Sequence, residues 1–249
     1  MAQFKTLLAV SIAAAALAVA AQAQTNVHDP KPSAAVSAAV ADAGRPQADK
    51  DRDANRKPAE IVAVSGLKPG QSVVELGSGG GYYTRILAKT VGAKGKVFAI
   101  VGAQPPGAGD RLKPLQADNA NLQIVTDDIT KLSNVPEKVD MVWTTDNYHD
   151  FHNRLDMAAL DKAVFEVLKP GGVFLVEDHA AAAGAGATVT STLHRIDPAT
   201  VKQEVEAAGF KLVRTTDALA NPADNHTGAN AEKDIRGKTD RFVFVFQKP

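Results

Sequence analysis

The chain of 249 residues contains no cysteine. That absence removes disulfides, thiolate zinc sites, iron–sulfur clusters and cysteine nucleophiles. It also removes a lipid anchor, which would need a Cys behind a leader-peptide cleavage site. An excess of charge of either sign is missing too, since 28 basic side chains balance 28 acidic ones. There is no electrostatic footprint for a nucleic-acid backbone or an anionic membrane surface, so no nucleic-acid partner is expected. Beyond the first residues, no run reaches the roughly 20 apolar residues that a spanning helix needs. What remains is ordinary for a globular protein: 45% hydrophobic residues, over a length ample for a sizeable core.

The one long apolar stretch opens the chain. Lys5 is the only charge before Asp29, Thr6 to Ala20 is rich in Ala, Leu, Val and Ile, and Ala21-Gln22-Ala23 is a small-x-small site. These are the parts of a secretory signal peptide. The run is too short and Ala-rich for a stable membrane anchor. Removal of residues 1–23 and a periplasmic or secreted location are therefore expected. Residues 24–48, rich in Ala, Pro and Asp, read as a flexible lead with one short helix. The domain is expected over 49–249. Its first segment, Asp49 to Arg56, alternates charges and reads as a solvated helix face, with a cap over the ligand site as the functional alternative.

From Ser72 onward, short apolar runs alternate with helical periods. Val73 to Leu76, Lys96 to Gly102, Leu122 to Val125, Val139 to Thr145 and Gly172 to Glu177 are apolar on both faces, as strands of a covered parallel sheet are. Tyr82 to Val91 and the series Met157, Leu160, Val164, Leu168 have helical spacing, and Lys169-Pro170-Gly171-Gly172 reads as a stop and turn. Asp197-Pro198 predicts a helix start, and Gly209 predicts its end. The last runs, Phe210 to Thr215 and Arg241 to Gln247, have no helical pattern between them and are expected to pair antiparallel. The 218–240 connection between them is long, and reads either as a lid over the site or as a surface excursion. The pattern as a whole is an α/β sheet.

Glu75-Leu76-Gly77-Ser78-Gly79-Gly80-Gly81 follows the first strand and opens a helix. A strand-to-helix turn of this kind needs glycine so that backbone can approach a ligand. The spacing is E-x-G-x-G-x-G rather than the dinucleotide G-x-G-x-x-G. Glu75 suits a cationic amino-acid end, or fixes the turn itself.

On these residues the chain resembles the class I S-adenosylmethionine-dependent methyltransferases. More narrowly, it resembles a family of exported predicted methyltransferases. That narrower likeness runs through Arg56 to Glu60, Lys68-Pro69-Gly70, Glu75 to Tyr83, Asn147 to Asp150, Glu177 to Ala180, Leu193-His194-Arg195, Ala208-Gly209-Phe210 and Gly237 to Phe242. The resemblance implies a Rossmann-like, mostly parallel seven-stranded sheet with an antiparallel last strand, and S-adenosyl-L-methionine as cofactor. It implies that Gly77, Ser78, Gly79 and Gly81 line the cofactor's amino-acid end and that Glu75 fixes it. Asp127 or Asp128 would reach the adenine amino group, and Asp146 and Asn147 would face the reacting centre. One position departs from the class. The second strand ends Ala99-Ile100-Val101-Gly102-Ala103-Gln104, without the acid that holds the ribose hydroxyls, and only Gln104 offers a polar group nearby. An unreplaced contact of that kind costs on the order of 1.5–3 kcal/mol.

Five of the six histidines, His149, His152, His179, His194 and His226, fall after strand ends or in loops that a doubly wound sheet gathers at one edge; the sixth is His28. Methyl transfer to a hydroxyl or amine needs a proton acceptor, and His149 beside Asp146, Asn147 and Asp150 is the first candidate, with His179 second. A competing metal reading takes His149 and His152 on one helix face, with help from Asp146, Asn147, Asp178 and His179; no residue is assigned as a ligand. The expected activity is methyl transfer to a small-molecule acceptor. The alternatives are a methyltransferase-fold binding protein without catalysis, suggested by the missing acid and the export signal, and a metal-dependent enzyme using the histidine rim.

Overall fold

The central strands are apolar on both sides because helices cover both faces of the sheet. The computed structural model describes residues 29–102, 107 and 109–249. The leader at 1–23, His28 and Gln104 lie outside the described residues. A seven-stranded sheet runs in the order β3-β2-β1-β4-β5-β7-β6. Its strands are β1 (Ser72–Leu76), β2 (Lys96–Val101), β3 (Leu122–Thr126), β4 (Val139–Thr145), β5 (Leu168–His179), β6 (Lys211–Thr216) and β7 (Arg241–Gln247). The first five pair in parallel, and β7 enters antiparallel between β5 and β6. This is the Rossmann-like architecture that the resemblance implied.

The period-2 alternation of each strand divides the core in two. Val73, Val97, Trp143 and Leu175 face one side, where helices α1 (Ala34–Val40), α4 (Pro58–Ser65) and α5 (Tyr82–Val91) contribute Val36, Ile61, Ile86 and Leu87. Val74, Phe98, Val142 and Phe174 face the other, under α8 (Met157–Val167) and α9 (Pro198–Ala207), which add Leu160, Val164, Val201 and Val205. Asp197 caps α9 by accepting from Ala199 N at 2.9 Å, with Pro198 in its first turn, as its sequence predicts.

Two local readings change and a third is sharpened. Within the lead, the expected short helix is α1, and it is not free: it buries Val36 and Ala39 in the core. The charged run is a solvated face only at Asp51 and Arg52. It forms α2 (Gln47–Lys50) and α3 (Asp53–Arg56), whose charges pair with groups elsewhere in the fold. The helix α8 stops at Val167, just before Lys169 to Gly172 as expected, but this segment already belongs to β5, which starts at Leu168 and bulges there while the partner strand advances from Val139 to Met141. Among the described residues, no helix is long and apolar enough to cross a membrane.

The register places the site. Leu76 of β1 lies beside Thr144 of β4, and Thr145 lies beside Glu177 of β5. The glycine loop, the segment after β4 and the end of β5 therefore share one edge of the sheet.

Candidate active site

The loop from β1 to α5 is built by glycine backbone. Gly77, Gly79 and Gly81 have φ of +75°, +55° and +84°, a region costly for other residues. Gly81 N–H donates to the Ser78 carbonyl at 2.8 Å and closes the turn. A Cβ on Gly77 would sit 2.5 Å from Asn147 Cγ, whereas one on Gly80 would meet nothing within 4 Å. The loop is thus pressed against Asn147 at Gly77 and open at Gly80. Glu75 lies beneath it, buried, and accepts from Thr84 Oγ1 at 2.6 Å. That bond ties the end of β1 to α5 across the loop. Burial raises the Glu75 pKa to about 7 against the pull of the Thr84 bond.

The segment after β4 turns sharply. Asp146 has φ +56°, and its N–H donates to the Glu177 carbonyl at 3.0 Å. Its carboxylate pairs with Arg56 of α3, lies 3.4 Å from His179 Nε2 and 3.8 Å from Arg241. Burial would raise its pKa, but Arg56, His179 and Arg241 hold it well below the carboxylate range. Arg241 also pairs with buried Glu177 at 3.1 Å. Asn147 Nδ2 donates to the Gly77 carbonyl at 3.1 Å, tying this segment to the glycine loop.

Helix α7 (Tyr148–His152) follows at once. His149 is buried, with Nδ1 2.7 Å from Asp178 Oδ1, while the other Asp178 oxygen accepts from His149 N–H at 2.7 Å. Asp178 itself has no exposed surface. The ring is therefore oriented with Nε2 outward. Burial lowers the His149 pKa, but the Asp178 bond and the charges of Asp178, Asp150 and Asp146 outweigh it, and the net shift is upward. His179 contacts Thr239 Oγ1 at 2.8 Å through Nδ1, and its ring centroid is 6.0 Å from that of His149. Burial lowers its pKa despite Asp146 and Asp178.

The edge thus gathers Glu75, Gly77, Ser78, Gly79, Gly81, Asp146, Asn147, His149 and His179. Asp127 and Asp128 lie at the end of β3, where Asp127 N–H donates to the Val101 carbonyl at 3.1 Å. Their carboxylates are turned into their own loop: Asp127 accepts from Asn134 N at 2.6 Å, and Asp128 pairs with Lys131 at 2.9 Å. His152 goes elsewhere, to Glu204 of α9 at 2.9 Å, so it does not join His149 as the metal reading required. His226 meets Asp240 at 3.0 Å. The 218–240 connection is pinned down: Arg195, fully buried, donates to the Gly228 carbonyl at 2.8 Å and pairs with Asp224 at 2.7 Å. Sequence reasoning did not pair Arg56 with Asp146, or His194 with Asp150 at 3.1 Å. The only advance signal for either was the quoted Arg56 and His194 motifs. A cleft of about 420 Å³ lies at the opposite edge, between Lys89, Lys96, Asp118 and Asn121, away from all of these groups.

Residues 73–172 match a family described as a methyltransferase domain. The ribosomal RNA large subunit methyltransferase E of Rhodopseudomonas palustris (strain BisB18) is 31% identical over 199 residues, covering 68% of this chain and 80% of that protein. The chain belongs to the class I S-adenosylmethionine-dependent methyltransferases. Among solved structures, a SAM-dependent methyltransferase from Aquifex aeolicus shares the fold at TM-score 0.56 and 20% identity, covering 78% of this chain and 89% of that one. Aeropyrum pernix fibrillarin, solved with natively bound S-adenosyl-L-methionine, does so at TM-score 0.53 and 16% identity, covering 78% and 76%. The chain is therefore an S-adenosylmethionine-dependent enzyme. Its glycine loop fits that cofactor: the positive-φ backbone at Gly77, Gly79 and Gly81 brings main chain to the edge, and no side chain occupies the space over Gly80. The cofactor supplies an electrophilic methyl on a sulfonium.

Proposed function

We propose that this methyltransferase acts on a small-molecule acceptor, at the rim formed by Asp146, Asn147, His149 and His179, and that it does so after export. The observation that carries the reading is the Asn147–Gly77 hydrogen bond of 3.1 Å. It makes the glycine loop and the histidine–carboxylate rim one construction, with the oriented His149 two residues along. Gly77, Ser78, Gly79 and Gly81 hold the amino-acid end of the cofactor, Glu75 keeps their turn in place, Asp127 or Asp128 marks the adenine end, and the polar contact to the ribose is assigned to Gln104. When the acceptor is a hydroxyl or amine, His149 Nε2 takes its proton, oriented by Asp178 behind the ring. His179, lowered by burial, stands beside it as a second polar contact.

The even charge balance supports a small acceptor over a polyanion. The curated relative is named for ribosomal RNA, so RNA is the acceptor class to set against it. Calorimetry with S-adenosylhomocysteine tests the cofactor site: one equivalent binds, and Gly79→Arg abolishes it. Incubation with methyl-labelled cofactor and either a metabolite fraction or ribosomal RNA tests the acceptor. Label is expected in the metabolite fraction, and label in RNA alone overturns the reading. For export, the mass of the periplasmic or secreted chain should correspond to a start at Gln24. An uncut chain in the cytosol counts against it.

A further inference from the structure

Two residues of α7 and one from the segment after β5 bring metal-ligand atoms to one point. His149 Nε2 lies 3.5 Å from Asp150 Oδ1. His194 Nδ1, from a residue 44 positions along the chain, lies 3.1 Å from the same oxygen. Ligand atoms of the three residues all fall within 4.8 Å of one another. Bonds of about 2.1 Å around a tetrahedral ion place neighbouring ligands about 3.4 Å apart, and the two measured edges bracket that distance. The imidazoles meet edge to face, with centroids 5.5 Å apart.

The surroundings are those of a held ligand rather than of a chance surface group. His149 is anchored from behind by Asp178 at 2.7 Å, which fixes the ring and directs Nε2 toward Asp150 and His194. A carboxylate behind a ligating imidazole is the usual outer support of metal-bound histidine. His194 is presented by the neighbouring Arg195, whose buried guanidinium is tied to the Ala180 carbonyl at 2.9 Å and to Asp224 at 2.7 Å. The cluster is also open on one side: the His149 side chain is 2% exposed, but Asp150 and His194 are 39% and 42% exposed. A bound ion would keep coordination positions facing solvent, on the rim shared with His179.

We propose that His149 Nε2, Asp150 and His194 Nδ1 form a three-ligand site for a divalent transition metal of the zinc type. Two imidazole nitrogens with one carboxylate favour such an ion over magnesium or calcium, which prefer all-oxygen shells. Metal binding stands on this geometry alone. Its catalytic meaning rests on the methyl-transfer reading above: with the ion bound, His149 is a ligand, and its role as proton acceptor is confined to the metal-free protein. The open positions then take an oxygen or nitrogen of the acceptor.

The test uses the whole chain, made without a histidine tag and stripped with chelator. Zinc calorimetry should show one equivalent bound, and cobalt(II) should give the visible absorption of a four- or five-coordinate nitrogen–oxygen site. His194→Ala and Asp150→Ala should each weaken zinc at least tenfold and erase the cobalt bands, with unchanged circular dichroism. Asp178→Asn should retain one equivalent but weaken it about 10- to 100-fold. His226→Ala, away from the cluster, should bind as the parent does. No stoichiometric zinc, or zinc binding indifferent to His194→Ala, overturns the site. S-adenosylhomocysteine is titrated in parallel. If it binds and zinc does not, the metal site falls and methyl transfer stands; if zinc binds and it does not, the methyl-transfer reading falls alone.

Discussion

Gly77 shows how much one missing Cβ does. Its φ of +75° and the Asn147 side chain, 2.5 Å from where a Cβ would stand, leave no room for alanine. Gly77→Ala should cost about 1–3 kcal/mol in urea unfolding and weaken S-adenosylhomocysteine at least tenfold, because Asn147 must move. Gly80→Ala, with nothing within 4 Å, should change stability by no more than about 0.5 kcal/mol. Equal effects at the two positions would refute the idea that Asn147 dictates Gly77. Glu75 offers a pH test. Burial lifts its pKa from 4.5 to about 7, so over that interval the folded chain binds the extra proton. Stability then falls as pH rises from 4.5 to 7 and stays low above it. Glu75→Gln, which keeps an acceptor for Thr84, lacks this dependence. The stability of the parent relative to the variant should therefore drop by about 2–3 kcal/mol between pH 5 and pH 8; a constant difference would show that Glu75 is ionised throughout. At this scale the glycine triad was legible because backbone demands leave a local signature. The pairing of His194 with Asp150 was not, because it joins residues 44 apart for which no spacing rule exists.

Among the elements, α3 departs furthest from its sequence reading. Alternating charges suggest a solvated face, because a helix-face rule counts only partners three or four residues away. Here, apart from the Arg52–Asp49 pair at 2.9 Å, the partners lie outside the run. Asp53 accepts from Arg45 at 2.6 and 2.8 Å and from Tyr82 Oη at 2.6 Å, and the Arg52 and Arg56 guanidinium groups lie 4.7 and 4.6 Å from the Tyr82 ring centroid. Asp53→Asn leaves the buried Arg45 without its counter-charge and should cost about 1–2 kcal/mol at neutral pH. Burial would raise the Asp53 pKa, but the bonds from Arg45 and Tyr82 outweigh it and the net shift is downward. This stability is accordingly present above the ordinary aspartate value and lost as pH falls below it. Urea unfolding of parent and variant should converge below about pH 4. A gap that persists in acid would mean that packing, not charge, holds α3. The helices α5, α8 and α9 were legible because each carries its own start signal or apolar period. The docking of α1 was not, since its few apolar residues become meaningful only against α5.

For the whole molecule, the central strands could be located in advance because each is apolar on both faces, but the order of the strands could not be read from periodicity. Strand order depends on which crossovers the chain takes, and the family resemblance supplied only the strand number and the antiparallel last strand. The antiparallel β7 was legible for a separate reason: no helical pattern lies between it and β6. What the linear sequence does state about the whole is its charge, 28 against 28, and this carries a kinetic consequence. A protein that neutralises several phosphates loses affinity steeply with salt, about 10³- to 10⁵-fold between about 50 and about 200 mM for 6–10 contacts. A balanced surface acting on a small acceptor has no such release of counter-ions to lose. The KM for the acceptor should therefore change less than about threefold over that range, measured as S-adenosylhomocysteine released in the presence of the metabolite fraction. Buried pairs such as Arg241–Glu177, at 7% and 0% exposure, are shielded from the added ions, so the fold should not confound the comparison. A steep rise in KM with salt would point instead to a phosphate backbone as the acceptor, and it would do so even with the acceptor's chemical identity unknown.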